Sequence, residues 1–199
     1  MAVRLFIDNK KEKTENMNLI NLIHNRFSPR AFSNQTVSQE QLELIFEAAR
    51  WAPSARNEQP WHYIYSCKDD SEKYHQMLGL LTDWNQKWAQ SGSVLVAGIS
   101  KLNYNQKNLP NEYAWYDLGQ SVAYLTLQAS EMGLYIHQMG GFDRNKANKL
   151  FQLPESSQVV VMMVVGYKGS LDRIPEAYHE TELIKNGRRL WNENVTKHF

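Results

Sequence analysis

Apolar residues recur along this chain in two rhythms, one near the helical repeat and one in short unbroken runs suited to strands. Leu19, Leu22 and Ile23 share one side of a short helix predicted over residues 17–26. That helix ends in Phe27-Ser28-Pro29-Arg30, where Pro29 pushes Ser28 away from helical geometry. The next helix announces both its start and its buried side. Ser38 is a good N-cap, Gln41 completes a capping box, and Val37 with Leu42 can form a hydrophobic staple. Leu42, Ile45, Phe46 and Ala49 then fall at helical spacing, and Pro53 stops the run. Further helices are predicted over 71–79, 83–90 and 113–132. The last carries Leu118, Val122, Leu125, Ala129 and Met132 on one stripe, with Gly133 as its C-cap. Asp143 can cap one more helix, in which Ala147, Leu150 and Phe151 are apolar and beyond which Pro154 lies. Aromatic and branched runs predict strands at 61–65, 94–99, 134–138 and 159–167.

Helices and strands do not alternate strictly, so the pattern predicts an α+β fold rather than a doubly wound one. With 199 residues, 42% of them hydrophobic, the chain is expected to form a single domain over 1–199. Residues 1–16 read as a polar N-terminal extension. Residues 171–199 read as a charged, loop-like C-terminal arm with little apolar periodicity. Such an arm would be unstable alone and is expected to lie along another surface, a second subunit included.

Charge narrows the class of partners. The net charge is +1 and no run of five basic residues occurs, so neither nucleic acid nor an anionic membrane is indicated. No stretch approaches the roughly 18 apolar residues of a membrane span, and no apolar leader opens the chain. The lone Cys67 has no internal disulfide partner, which fits a reducing compartment. A soluble cytoplasmic protein is expected.

The usual catalytic constellations are missing. There is no Gly-x-Gly-x-x-Gly after a strand, no P-loop and no Gly-x-Ser-x-Gly elbow. No two of the six histidines sit at close ligand spacing, so no metal site is expected. Cys67 reads as a small half-buried hydrophobe. An enzyme built this way would draw its reactivity from a cofactor.

Three segments bear on which one. In Arg26-Phe27-Ser28-Pro29-Arg30, an extended backbone would turn Arg26, Ser28 and Arg30 to one side. Two guanidinium forks and a hydroxyl suit a phosphate dianion, although a solvated basic loop accounts for the same five residues. The stretch from Ala52 to Trp61 is a polar loop framed by Pro53 and Pro60, able to present amides and hydroxyls to a ligand edge, or simply a connection. In His137-Gln138-Met139-Gly140-Gly141-Phe142, paired glycines let a backbone approach a flat ligand, and a plain turn would use them too.

In this order the segments resemble the FMN-dependent nitroreductase family. Its Arg-x-Ser-x-Arg-x-Phe pattern is met by Arg26, Ser28, Arg30 and Phe32. Its Ala-Pro-Ser-x-x-Asn-x-Gln-Pro-Trp is met in full from Ala52 to Trp61. Asn85, Trp88 and Ala89 meet Asn-x-x-Trp-Ala, Asp117-Leu118-Gly119 opens the long helix, and His137 to Asp143 meet His-Gln-Met-x-Gly-Phe-Asp. The resemblance runs from about residue 20 to the end.

The resemblance implies a mostly antiparallel sheet flanked by helices, in an intertwined homodimer with an exchanged C-terminal arm. It also implies bound FMN, reduced by NADH or NADPH, and a small-molecule acceptor such as a nitroaromatic or a quinone. By the same resemblance Arg26, Phe27, Ser28, Arg30 and Arg188 belong to the FMN site, with Arg26, Ser28 and Arg188 at the phosphate. Pro53, Ser54, Ala55 and Asn57 would reach the flavin from the partner subunit. Asn85 would meet the polar edge of the ring, and Gln138, Met139, Gly140 and Gly141 would line it near N5. No side chain is assigned a catalytic acid or base role. Two departures stand out: Asn186 and Leu190 occupy arm positions where the family has arginine and proline, and Tyr124 stands where it often has asparagine. Reductive dehalogenation, flavin fragmentation and a non-catalytic FMN-binding role are alternatives on the same fold.

Overall fold

A computed structural model describes residues 19–106, 109–184 and 187–198. The predicted N-terminal extension and Asn186 lie outside the described residues. The chain runs α1 (Leu19–Asn25), α2 (Gln39–Arg50), β1 (Trp61–Cys67), α3 (Ser71–Leu78), α4 (Asp83–Ala89), β2 (Val94–Lys101), α5 (Ala114–Glu131), β3 (Tyr135–Met139), α6 (Arg144–Leu150), β4 (Ser157–Gly166), α7 (His179–Leu183) and α8 (Trp191–Asn194). The four strands form one sheet in the order β1-β2-β4-β3, every pair antiparallel.

Sheets of this kind often leave one face to water and show alternating polarity. Here both faces are covered, which is why β2 and β4 read as unbroken apolar runs. Leu95, Ala97 and Ile99 pack to one side with Tyr74, Trp88 and Ala147 of α3, α4 and α6. Val94 and Val96 pack to the other with Leu42 and Ile45 of α2 and Leu118, Val122 and Leu125 of α5. The result is three layers, with the sheet in the middle.

Local signals fix several helix ends. The Ser38 hydroxyl accepts the Gln41 N–H at 3.3 Å and the Gln41 side-chain oxygen accepts the Ser38 N–H at 3.1 Å, so the predicted capping box forms. Gly133, at φ +73°, turns the chain out of α5, and the Leu134 N–H then closes on the Ala129 carbonyl at 2.8 Å. The Asp143 carboxylate caps α6 by accepting the Lys146 N–H at 3.0 Å.

The expected arm needs correction over its first half. Ile174, Tyr178 and Glu182 are buried in this same chain, and short helical turns at Leu171–Arg173 and Glu176–Tyr178 lead into α7. From Leu183 onward every described residue is exposed, Leu190, Trp191 and Val195 among them. Helix α1 is the reverse case. Its apolar stripe was legible, yet no residue of it is buried, and Leu19, Ile20 and Ile23 face outward. Among the described residues, no helix is long and apolar enough to cross a membrane.

Candidate functional site

The segment after α1 owes its shape to remote partners. The Pro29 carbonyl accepts Nδ1–H of His137 from β3 at 2.9 Å. A carbonyl only accepts, so Nδ1 carries the proton and Nε2 is bare. The His137 ring lies against Trp88, with centroids 4.4 Å apart. Burial pushes its pKa down to about 4, and the positive field of Arg30 and Arg26 works in the same direction, against the bond to Pro29. The imidazole is therefore neutral near pH 7. The backbone N–H groups of Arg30 and Ala31 donate to the two carboxylate oxygens of Glu182 at 2.8 and 3.2 Å.

A cleft of about 640 Å³ opens beside this segment. Arg26, Phe27, Ser28, Arg30 and Arg188 all line it, together with His137 and Thr181. Arg26 donates to the Ser28 hydroxyl at 2.9 Å, and Arg30 donates to the Thr181 hydroxyl at 3.4 Å. Three guanidinium groups and no carboxylate stand among the described lining residues. Its volume falls within the usual range of small-molecule sites, and its charge selects an anion.

The glycine turn at the end of β3 follows closely on His137, the strand's residue in the cleft lining. Met139 is buried, while Gln138 is exposed and donates to the Thr126 hydroxyl at 3.4 Å. Asn85 braces this turn: its amide N–H donates to the Gly141 carbonyl at 3.0 Å and its oxygen accepts the Trp88 indole N–H at 3.2 Å. Its oxygen is thus engaged within the chain, and one amide N–H remains for a ligand. A methyl group on Gly141 would come within 2.7 Å of that same Asn85 amide and would push this brace aside; around Gly140 the space is open.

The loop between α2 and β1 stands apart from the cleft. Pro53 and Asn57 are exposed and Ser54 and Ala55 half-buried, and none of the four lines the cleft of its own chain. The loop is stiff all the same. Arg56, Asn57 and Gln59 take φ values of +55°, +56° and +48°, a conformation side chains rarely adopt and one that clusters at functional sites. The Ser54 hydroxyl accepts the Gln59 N–H at 3.0 Å, and the buried carboxylate of Asp117 on α5 accepts the Ala55 N–H at 3.0 Å.

Five of the fourteen predicted residues thus share one cleft, five more sit around the braced glycine turn, and four are held outward on the loop. Sequence reasoning passed over His137, Thr181, Asp117 and Glu182 as working residues. His137 and Asp117 lay inside quoted motifs, but nothing in their local sequence showed what they would touch.

The model of the nitroreductase family matches residues 23–167. The chain belongs to the nitroreductase family. Among relatives of this nitroreductase-family protein, one from Archaeoglobus fulgidus bears the provisional name NADH dehydrogenase/NAD(P)H nitroreductase. It is 29% identical over 152 residues, covering 74% of this chain and 84% of that protein. An oxygen-insensitive NADPH nitroreductase from Helicobacter acinonychis is 24% identical, covering 85% and 94%. Among solved structures, one described as an oxidoreductase containing FMN superposes with a TM-score of 0.84 at 29% identity, covering 96% of this chain and 97% of that one. A nitroreductase family protein from Clostridium difficile gives 0.71 at 20% identity, covering 92% and 99%. The nitroreductase fold is therefore present, with its four-stranded antiparallel sheet.

Proposed function

We propose that this nitroreductase-family chain binds FMN in the arginine-lined cleft and passes electrons from NADH or NADPH to nitroaromatics, quinones or similar flat, electron-poor acceptors. One observation carries the reading: Arg26, Ser28, Arg30 and Arg188 converge on a cleft that no described carboxylate lines. A phosphate monoester meets charge-assisted donors there, the strongest class of hydrogen bond available to it. Beside it, the open space at Gly140 lets a flat ring approach the backbone, and Asn85 has a free amide N–H to offer.

FMN, when bound, supplies the redox chemistry that the side chains of this cleft lack. The chain's own residues would bind and orient it. Arg26, Ser28, Arg30 and Arg188 hold the phosphate, as fixed donors that offset its negative charge in a poorly solvated site. Neutral His137 buttresses the Pro29 carbonyl and so the backbone between the two arginines.

The working unit in this proposal is a cytoplasmic homodimer. The bare apolar side of α1, the exposed Trp115, Tyr116 and Tyr124 on α5, and Trp191 at 75% exposure favour coverage by a second copy. The outward loop would then bring Pro53, Ser54, Ala55 and Asn57 to the other subunit's flavin, and residues 187–198 would form the exchanged arm. Ser54→Trp should block the site built on the other subunit, so mixed dimers with wild-type chains should keep one working site. Mixed dimers with none would reject the shared site.

The deciding measurement is the visible spectrum of the purified protein before and after anaerobic NADPH or NADH. A yellow protein that bleaches, and recolours when a nitroaromatic or quinone is added, is the expected result. A colourless protein that takes up no added FMN would overturn the reading, and a yellow protein that neither nucleotide bleaches would leave only FMN binding. A second reading, reductive dehalogenation, gains support from a 22% identical relative in Haliscomenobacter hydrossis named iodotyrosine deiodinase. Halide release from a halogenated phenol, with no turnover of nitro compounds, would favour it.

A further inference from the structure

Glu182 is a carboxylate only 5% exposed, far in sequence from the residues it touches. Its two oxygens accept consecutive backbone N–H groups, those of Arg30 and Ala31. Consecutive N–H groups point to opposite sides in a strand, so their convergence on one side chain marks a kink held in place by that side chain. The kink occurs at the residue whose guanidinium lines the cleft. The neighbouring Thr181 accepts from that guanidinium at 3.4 Å, so α7 holds Arg30 at its backbone and at its head.

The same short segment also reaches toward the glycine turn. The Tyr178 hydroxyl donates to the Trp84 carbonyl at 2.7 Å, and its ring packs on the Trp84 ring with centroids 4.3 Å apart. Trp84 immediately precedes Asn85, which braces Gly141. A single stretch, 178–182, thus ties together the anion grip and the glycine turn.

We propose that Glu182 is a positioning residue for the anion grip, fixing the backbone of Arg30 so that its guanidinium faces the cleft. The proposal rests on the reading that the cleft takes the FMN phosphate. A carboxylate suits the task because it accepts at both oxygens; a glutamine would keep one acceptor and turn an N–H₂ group toward a backbone N–H. Glu182 touches no ligand in this scheme and acts through Arg30.

The test is Glu182→Gln, titrated with FMN and separately with riboflavin, which has the ring and ribityl chain but no phosphate. The Kd for FMN should rise about tenfold, the scale of losing one hydrogen bond to a charged group. The Kd for riboflavin should stay within about twofold of wild type, since the conversion of affinity to energy makes twofold a small change. Equal losses for both flavins would mean a merely structural role, and an unchanged FMN Kd would mean no role; either overturns the proposal. A wild-type protein that binds neither flavin would instead sink the FMN reading itself. Should Glu182→Gln fail to fold, as judged by the melting of the flavin-free protein, Glu182→Asp takes its place. It should still weaken FMN more than riboflavin, and a wild-type ratio of the two affinities would overturn the proposal.

Discussion

The segment 26–31 and the loop 53–59 are both short, polar and proline-containing, yet they reach their shapes by different routes. The first is held from a distance: His137 on β3 binds the Pro29 carbonyl, and Glu182 on α7 binds the next two N–H groups. The second is braced from within as well, by Ser54 on Gln59 and by the turn bond from Asn57 N–H to the Ser54 carbonyl, beside remote partners in Asp117 on Ala55, Gln120 on the Pro53 carbonyl and the Asn105 N–H on Glu58. A segment held by remote groups can be moved by changes far along the chain. A self-bracing loop keeps its shape wherever it is presented, which suits a piece offered to another subunit.

Removing the loop's buried remote anchor should have the largest effect. Asp117→Ala leaves the Ala55 N–H without its charged acceptor, and a lost bond of that kind costs about 3 kcal/mol at the upper end. The left-handed run at 56–59 should keep its shape, because the Ser54 bonds to Gln59 and Asn57 remain. Urea unfolding of Asp117→Ala against wild type reads the cost. A change below about 0.5 kcal/mol, the level of an ordinary surface substitution, would mean that the loop needs no anchor at this carboxylate.

Arg26→Ala separates binding from folding at the other segment. The Arg26 side chain donates to Ser28, two residues away, so the folded protein should lose little. FMN binding should weaken by about 1.5–3 kcal/mol, the range for a charge-assisted bond. An unchanged dissociation constant would remove Arg26 from the phosphate site.

What the sequence revealed follows the same division. Ser38 with Gln41, Asp143 and Gly133 act on neighbours within a few residues, and each was readable before any fold was known. Ile174, Tyr178 and Glu182 fall four residues apart, which is helical spacing, but Pro175 interrupts them and one of the three is charged. An apolar-period reading therefore took the stretch for a loose arm. Strand β1 ran two residues past its predicted end because Ser66 and Cys67 carry weak strand signals, while their pairing with Leu95 and Val94 depends on the neighbouring strand. The family motifs marked where Asn85 and His137 lie; that one braces Gly141 and the other buttresses Pro29 depends on contacts tens of residues away.

His137 gives the remote-held segment a pH signature. Its folded pKa, about 4, lies below the ordinary histidine value of 6.5, so the unfolded chain binds the proton more readily. Stability from this group is complete above pH 6.5, declines as the pH falls below it, and is exhausted near pH 4, a total on the order of 3 kcal/mol. Denaturant unfolding at pH 7, 5.5 and 4 should show this decline in wild type, and His137→Gln should lack that part of it. An anion in the cleft should oppose the field of Arg26 and Arg30 and raise the imidazole pKa, which nuclear magnetic resonance of the ring would follow. Identical pH profiles for wild type and variant would mean that the ring is not held neutral by its surroundings.

The smallest effect tests the self-bracing loop directly. Ser54→Ala deletes the hydroxyl that accepts the Gln59 N–H, a bond between exposed or half-buried groups five residues apart. Water can replace that acceptor, so the cost should stay near the ordinary net value of about 1 kcal/mol or below. The left-handed conformations at Arg56 and Asn57 should survive, because the turn bond from Asn57 N–H to the Ser54 carbonyl does not use the hydroxyl. Stability and FMN affinity then answer separate questions at one position. A small loss of stability with unchanged FMN binding makes Ser54 a brace and nothing more. A small loss of stability with weakened FMN binding makes the hydroxyl a ligand contact as well, made across the subunit boundary of the proposed dimer, since Ser54 does not line the cleft of its own chain. A loss of several kcal/mol would overturn the contrast itself, because a loop that collapses when one local bond is removed was never self-bracing.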